Sequence, residues 1–588
     1  MSETKKHYKD INDRYYVGNN GELYYVEPIV KDGEVTGQSE TAIANHSPIL
    51  KEHISIYDGI ERIERLVFTV RRKYQNSEDI IVTPDDILSR TPTLKFGAAC
   101  RIYLGRAYKA RYVEAMQIQC ENLPEITVYR HSGYEIIGGK RVFLNGGYSI
   151  TAEGLTDKYR VSFEQDLGDF RFLAERHEDR FKTLLELLPA CASKHIVLSG
   201  LGLTFLTPLN ALLREVGLEP RFILYFTGKT GIGKTTMSKM FVNFFGTFKN
   251  GGTANTNCRD SSNSVEKVFA LTDSTLVLLD DLIPSTSAKV KDKMDEIEQS
   301  VARQIGDRTG RKRMNADGSL KGAYIPKCNV ILTAEQSYSN VGESAIARSI
   351  SADIEPEDLD VDKAFEVQQR AYHFNECMGD YIQYVIQNWE ELQKELEPLF
   401  YEYRKKAQTG GHRRLAENVA HLQIGIYTMC KWLKSINQLP QEKSDEMLVE
   451  SWTVFMKLAE RQNHRITEET PVKLFLNAIR ELCDRGVIRF VTLGQDSDYT
   501  ETRSVMGYKD DNYYYCYPDA IYSEVRKFYD KQGMTFPLAK TAMFKYLAQD
   551  KIIETDKDQN TKAKRLGDRR PRFLWIRAEV LDKEEDTD

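Results

Sequence analysis

The feature that most constrains this chain is an unbroken apolar run, Phe222–Thr227, leading directly into Gly228-Lys229-Thr230-Gly231-Ile232-Gly233-Lys234-Thr235. A short apolar run of this kind is a buried strand, and the pattern of Thr236–Phe245 that follows is helical. Strand, glycine-rich turn and helix together form the context in which G-x-x-x-x-G-K-[ST] cradles phosphates. The glycines let backbone N–H groups curl around the anion without Cβ clashes. The helix N-terminus adds partial positive charge. The expected nucleotide contacts are therefore Gly228, Lys229, Thr230, Gly231, Ile232, Gly233, Lys234, Thr235 and Thr236. Lys234 would reach the β- and γ-phosphates, Thr235 would ligate Mg²⁺, and the cofactor is read as ATP.

A second apolar run, Leu276–Leu279, ends in Asp280-Asp281. In open α/β sheets ligands bind at the C-terminal ends of strands, where these carboxylates emerge. Asp280 suits Mg²⁺, and Asp281 suits orientation of the attacking water. The interval between Thr235 and Asp280 has room for the P-loop helix, a short strand near 252–257 and a helix at 261–271, which fits a motor-type ATPase better than a small kinase. A third strand, Val330–Leu332, ends in Thr333-Ala334-Glu335; Thr333 is the first choice for sensing the γ-phosphate and Glu335 the second. Arg348 follows soon after, at a position from which an arginine can reach a neighbouring subunit's γ-phosphate. That reading requires an oligomer.

Composition excludes several classes. The 588 residues are 41% hydrophobic, 29% charged and carry a net charge of −6, so nucleic-acid binding must come from local basic patches. Nine scattered cysteines without a C-x-x-C pair argue for reduced thiols in a cytoplasmic protein, not for disulfides or zinc. The polar N-terminus lacks a signal-peptide pattern. The most apolar window, 196–213, is interrupted by polar residues and is read as buried core, so no membrane partner is expected.

The fold class is α/β, with a P-loop NTPase core of the AAA+ kind. Residues 1–190 are read as a mixed N-terminal accessory domain, 191–365 as the ATPase core, 366–470 as a helical lid or linker, and 471–588 as a C-terminal winged-helix region. Residues 101–114 read as a basic helix with a solvated face. Two other basic segments point to DNA. The first, 308–324, is a hairpin turning at Asp317-Gly318. It places Arg308, Arg311, Lys312 and Arg313 on one arm and Lys321 on the other. In a ring ATPase such a hairpin faces the central channel, where cations grip phosphates without sequence preference. The second is the tail. A recognition helix, Lys540–Gln549, exposes Lys540 and Lys545, and a wing carries Lys562, Lys564, Arg565, Arg569, Arg570 and Arg572.

Residues 130–588 resemble the MCM-like AAA+ replicative helicases of staphylococcal mobile genetic elements, namely the Cch proteins of cassette chromosomes and the Rep initiators of pathogenicity islands. The resemblance rests on His131-Ser-Gly-Tyr134 with Val142-Phe-Leu-Asn-Gly146, Gly228–Thr235, Asn263-Ser-Val-Glu266, Leu276–Asp281 and Phe536–Leu547. It implies homohexameric rings that unwind DNA by ATP-driven translocation on a single strand and initiate replication. It carries over Lys234, Thr235, Asp280 and Asp281 as ATPase residues, Arg348 as arginine finger, and Arg413 or Arg414, with Arg414 preferred, as the lid arginine. The sequence departs from the family in ending the acidic strand with Asp-Asp rather than Asp-Glu, and in lacking the sensor asparagine. The rival readings are a DNA-binding AAA+ loader or regulator, and an origin-binding protein that ATP only switches.

Overall fold

The motif-bearing strands form one parallel sheet. The structure is a computed structural model. It describes all residues except 1–6, 73–74, 90–91, 122, 164–166, 249–255, 284–287, 311–312, 315–319, 336–342, 409–410, 469, 495–503, 533–535, 558, 567–568 and 583–588. Among the described residues its strands are β1 (Ile223–Thr227), β2 (Thr256–Asn257), β3 (Leu276–Leu282), β4 (Asn329–Ala334) and β5 (Ser349–Asp353). Their order is β2-β3-β4-β1-β5. β1 and β4 are buried at every position, as strands covered on both faces must be. The strand expected between the two phosphate motifs along the chain is β2. In space it lies at the edge, and β4 separates β1 from β3. The register aligns Phe226 with Thr333 and Leu279 with Leu332. The P-loop, Asp280 and Thr333 therefore emerge at one edge of the sheet.

Helices surround this sheet or pack behind it: α1 (Lys194–Leu206), α2 (Lys234–Val242), α3 (Ser262–Leu271), α4 (Ala288–Asp307), α5 (Val361–Gln369), α6 (Tyr372–Gln387), α7 (Trp389–Ala407), α8 (Arg413–Ser435) and α9 (Gln441–Glu468). The segment Lys194–Glu215 is long and apolar enough to cross a membrane, yet 94% of its most apolar window is buried inside the protein. It is core, as its interrupted sequence suggests. α1 and α8 cross in backbone contact, since a Cβ on Gly425 would lie 1.9 Å from the Gly202 carbonyl oxygen. Larger residues at this crossing would force the helices apart.

Large hydrophobic cores run from Tyr15 to Met116, from Phe143 to Ile466, and from Val472 to Leu581. Residues 143–190 thus contribute Phe143, Phe170 and Leu188, among others, to the same core as the parallel sheet. The N-terminal core lies under an antiparallel sheet spanning His7–Ala44 and a mixed five-stranded sheet. The expected basic helix from 101 starts later, at Tyr108, and runs to Glu121. Ala107, just before it, has φ +62, a left-handed conformation that no helix interior accommodates. In the C-terminal part, helices Pro471–Asp484, Pro518–Lys531 and Lys540–Gln549 pack against a sheet that includes Tyr513–Cys516 and Arg572–Arg577.

Candidate functional site

The turn between β1 and α2 is shaped by its glycines. Gly228, Gly231 and Gly233 all have positive φ, at 147°, 85° and 92°. A Cβ on Gly228 would lie 2.3 Å from the Ile354 carbonyl oxygen, so this position excludes every other residue on two counts. Gly233 caps α2 without any side-chain hydrogen bond. The first N–H groups of the helix are left for whatever occupies the turn. A cavity of about 280 Å³ opens here, lined by Thr230, Gly231, Gly233, Lys234, Thr235 and Thr236 from the loop side, and by Asp281, Thr333 and Glu335 from the opposite side. Gly228, Lys229 and Ile232 complete the loop. Lys234 Nζ donates to the carbonyl oxygens of Gly228 and Lys229, at 2.6 and 2.8 Å. Burial lowers its pKa, and the carboxylates of Glu335, Asp280 and Asp281 oppose that shift. Lys234 thus shares the cavity with the carboxylates of Asp281 and Glu335, and Asp280 lies near enough to act on it electrostatically.

The acidic strand meets the loop through one oxygen. Asp280 Oδ1 accepts from Thr235 Oγ1 at 2.9 Å and from Thr333 Oγ1. The same Thr333 hydroxyl accepts from the Asp281 N–H at 3.0 Å. A bulge interrupts the β3–β4 register between Leu279 and Leu282, and Asp281 has φ +75. Non-glycine residues held in this region cost of order 1–3 kcal/mol and cluster at functional sites. The hydroxyl of Thr333 therefore joins both aspartates to the central strand. Asp280 and Thr235 offer hard oxygen ligands at a spacing that suits Mg²⁺.

Three links around this centre have no counterpart in the sequence pattern. Glu335, the second-choice sensor, accepts from the Thr230 hydroxyl on the P-loop. Arg259, exposed and following β2, lies 3.3 Å from Asp281. Asp353, at the end of β5, accepts from Thr227 Oγ1 and pairs with Arg465 of α9, tying the long helix to the strand that enters the P-loop. Only tertiary structure joins these residues, so no local pattern could have revealed them.

Arg348 and Arg414 lie elsewhere. The Arg348 carbonyl accepts from the Ile223 N–H at the start of β1, the end remote from the P-loop. The strand between the two ends, Ile223–Thr227, spans about 13 Å at roughly 3.3 Å per residue. Arg348 is 9% exposed, packs on Gly306 and pairs with Asp307 at 2.8 Å. Arg414, at the start of α8, is its electrostatic neighbour: burial and then Arg348 lower its pKa, while Asp307 and Glu417 oppose the shift. The fold thus brings Arg348 and Arg414 together, and sets neither beside the P-loop of its own chain.

Among the described residues, the basic hairpin is a two-rung antiparallel ladder, Arg313 with Lys321 and Met314 with Leu320. Arg311, Lys312 and the Asp317-Gly318 turn lie outside the described residues. The returning arm passes the N-terminal region, because a Cβ on Gly322 would lie 2.5 Å from Ile60 Cγ2. Arg308 leaves the expected set of surface cations. It is buried, and its guanidinium donates to the carbonyls of Pro220 at 3.0 Å and Cys328 at 2.7 Å, and to Asn329 Oδ1 at 3.1 Å. It anchors the base of the hairpin to the entries of β1 and β4.

The basic tail divides in the same way. Lys564 pairs with Asp510 at 3.2 Å and lies 3.7 Å from the centre of the Tyr515 ring. Lys562 lies over Trp575, and Arg572 pairs with Asp556. Arg565, Arg569 and Arg570 are exposed at the tip of the hairpin. Lys545 is exposed on its helix, while Lys540 pairs with Asp519. Residues 131–146 act as clamps. Ser132 N donates to the Leu271 carbonyl at 2.8 Å, and Asn145 Nδ2 to the Phe245 carbonyl at 3.1 Å. Glu266 is fully buried and accepts from Gln304.

Compared with solved structures, the chain is similar to the SCCmec type IV Cch, an active helicase, with a TM-score of 0.61 and 13% identity over 96% of this chain and 98% of that one. The chain has the Cch fold. The likeness to Cch extends past the motif-bearing residues into the first 130, where the sequence carries no motif of that family. A protein of Cytophaga hutchinsonii ATCC 33406 overlaps 46% of the chain and 84% of its own length, with 12% identity and a TM-score of 0.24. JCV helicase overlaps 39% of the chain and 73% of its own, with 12% identity and a TM-score of 0.20. No protein-family model and no curated protein matches the sequence.

Proposed function

We propose that the chain is an ATP-dependent DNA helicase and replication initiator of a mobile genetic element, working as a ring of identical subunits on single-stranded DNA. The observation that carries this reading is the division of charge across the central sheet. Lys234, Thr235, Asp280, Asp281 and Thr333 gather at one edge, and Arg348 with Arg414 at the other. A phosphoryl-transfer site needs cations on the developing γ-phosphate charge. Among the described residues lining the cavity, Lys234 is the one cation, so a second copy presenting its arginine edge completes the site. Arg414 is partly exposed and can be presented directly; Arg348 must first leave Asp307.

Bound MgATP supplies the phosphoanhydride and the charge-neutralising ion. Lys234 would hold the β- and γ-oxygens, and Thr235 with Asp280 would hold the ion. Asp281, fixed by its N–H bond to Thr333, orients the attacking water. Helices α6–α9 are the lid, and α9 reports on the loop through Arg465 and Asp353. The basic hairpin and the wing tip, Arg565, Arg569 and Arg570, with Lys545, take DNA phosphates; the C-terminal winged helix binds duplex. The test is ATP hydrolysis with and without forked DNA. Wild type should hydrolyse ATP faster with DNA present, and Lys234→Ala should not hydrolyse it at all. Hydrolysis absent under every condition, or intact in Lys234→Ala, would overturn the assignment.

A further inference from the structure

The expected start of the basic helix is instead a loop, residues 101–107. Residues 101–111 read Arg-Ile-Tyr-Leu-Gly-Arg-Ala-Tyr-Lys-Ala-Arg: four cations and no acid, in a chain of net charge −6. The base of the loop is fixed. The Arg101 N–H donates to Asn45 Oδ1 at 2.8 Å, and the Tyr103 N–H to the Ile43 carbonyl at 2.8 Å. The Tyr103 hydroxyl donates to Glu22 at 2.6 Å. The far side is fixed by the helix, where the Arg111 N–H donates to the Ala107 carbonyl. Between these anchors Leu104 stands fully in solvent, at 104% relative exposure, the most exposed large apolar side chain among the described residues. Arg101 and Arg106 flank it, both exposed, and among the described residues neither pairs with a carboxylate. The inner cation, Arg111, is already occupied by Glu27 and the Tyr25 ring.

A loop anchored at both ends that holds one leucine out in water between two unneutralised arginines matches the chemistry of an apolar wedge against nucleic acid. Side chains of this kind enter base steps or lie on splayed bases while neighbouring cations hold phosphates. The left-handed Ala107 turns the chain out of the helix and holds the wedge there. We propose that the loop 101–107 is a DNA contact of the N-terminal region, with Arg101 and Arg106 on phosphates and Leu104 on a base face at an opened or distorted step. The helicase reading supplies the choice of polymer; the contact itself rests on the loop.

The test uses the full chain with forked DNA in fluorescence anisotropy across about 50–200 mM salt. The Arg101→Glu, Arg106→Glu double variant gives up two phosphate anchors, which should lower the slope of log affinity against log salt by about 1.4–1.8. Leu104→Ala should weaken binding while leaving that slope unchanged. A benzophenone amino acid at position 104 should crosslink to DNA. If wild type binds the fork but these variants bind it equally well, or if position 104 crosslinks only to another copy of the chain, the loop assignment is wrong and the helicase reading stands. A wild type that binds no DNA overturns both. The variants' melting temperatures should equal that of wild type, since none of the three side chains is buried.

Discussion

Replacing Thr333 by valine removes one hydroxyl and keeps the shape of a side chain that is 1% exposed. Two hydrogen bonds go with it. One is charge-assisted, to the Asp280 carboxylate; the other receives the Asp281 N–H at 3.0 Å. A charge-assisted bond contributes about 1.5–3 kcal/mol and a neutral one about 0.5–1.5 kcal/mol. The second bond restrains Asp281 at φ +75, so its loss should let the residue relax toward ordinary backbone and, on the proposed mechanism, move its carboxylate away from the place of the attacking water. If the charge-assisted part is lost from the transition state, hydrolysis slows by about 10- to 150-fold. The assay is single-turnover hydrolysis at saturating ATP, with nucleotide affinity measured separately. Thr333→Ser, which keeps the hydroxyl, is the control. Affinity should stay within a few fold in both variants, and the rate should fall only in Thr333→Val. Wild-type rates in Thr333→Val would refute the idea that this hydroxyl organises the aspartates.

Further predictions rest on the same geometry. Arg414→Ala and Arg348→Ala should each bind ATP and lose hydrolysis by about 10³-fold or more, and mixing either with Lys234→Ala should restore part of the activity, because each inactive copy supplies the edge the other lacks; mixtures that stay inactive would contradict a shared site. In the tail, Arg569→Glu with Arg570→Glu should weaken DNA binding and flatten its salt dependence without changing stability. Lys564→Ala should instead destabilise the C-terminal part by about 1–2 kcal/mol, since it removes the interactions with Asp510 and Tyr515, with DNA affinity little changed. His421 is buried, and burial lowers its pKa from 6.5 to about 4. Its neutral form stabilises the fold fully above pH 6.5, and that contribution, about 3 kcal/mol, is lost as pH falls toward 4. Urea midpoints from about pH 7 to about pH 4.5 should fall less in His421→Gln than in wild type.

The central sheet and the phosphate site are legible in the sequence because their signals are local. A glycine turn must follow its strand directly, and apolar runs such as Leu276–Leu279 are self-evident; the Lys540–Gln549 helix has the bounds its pattern predicts. Charge is less legible, because a count of cations does not tell which are used internally. Arg308 and Lys564 look like their exposed neighbours, yet one caps carbonyls in the core and the other lies on Tyr515. Residues 101–107 carry helical composition, and the left-handed Ala107 that breaks the helix has no signature of its own. The Arg465–Asp353 pair spans 112 residues, and no periodicity reaches that far. The parallel β1–β5 register that sets Arg348 at the end of β1 remote from the P-loop is likewise a tertiary fact.

The most direct measurement is strand displacement on forked DNA by the full chain, with Lys234→Ala alongside. Unwinding that requires hydrolysable ATP, is absent in Lys234→Ala and is lost when Arg311, Lys312 and Arg313 are reversed in charge is the predicted result. DNA-stimulated hydrolysis by wild type with no displacement on any forked substrate would contradict it, and would leave an ATPase that remodels a partner.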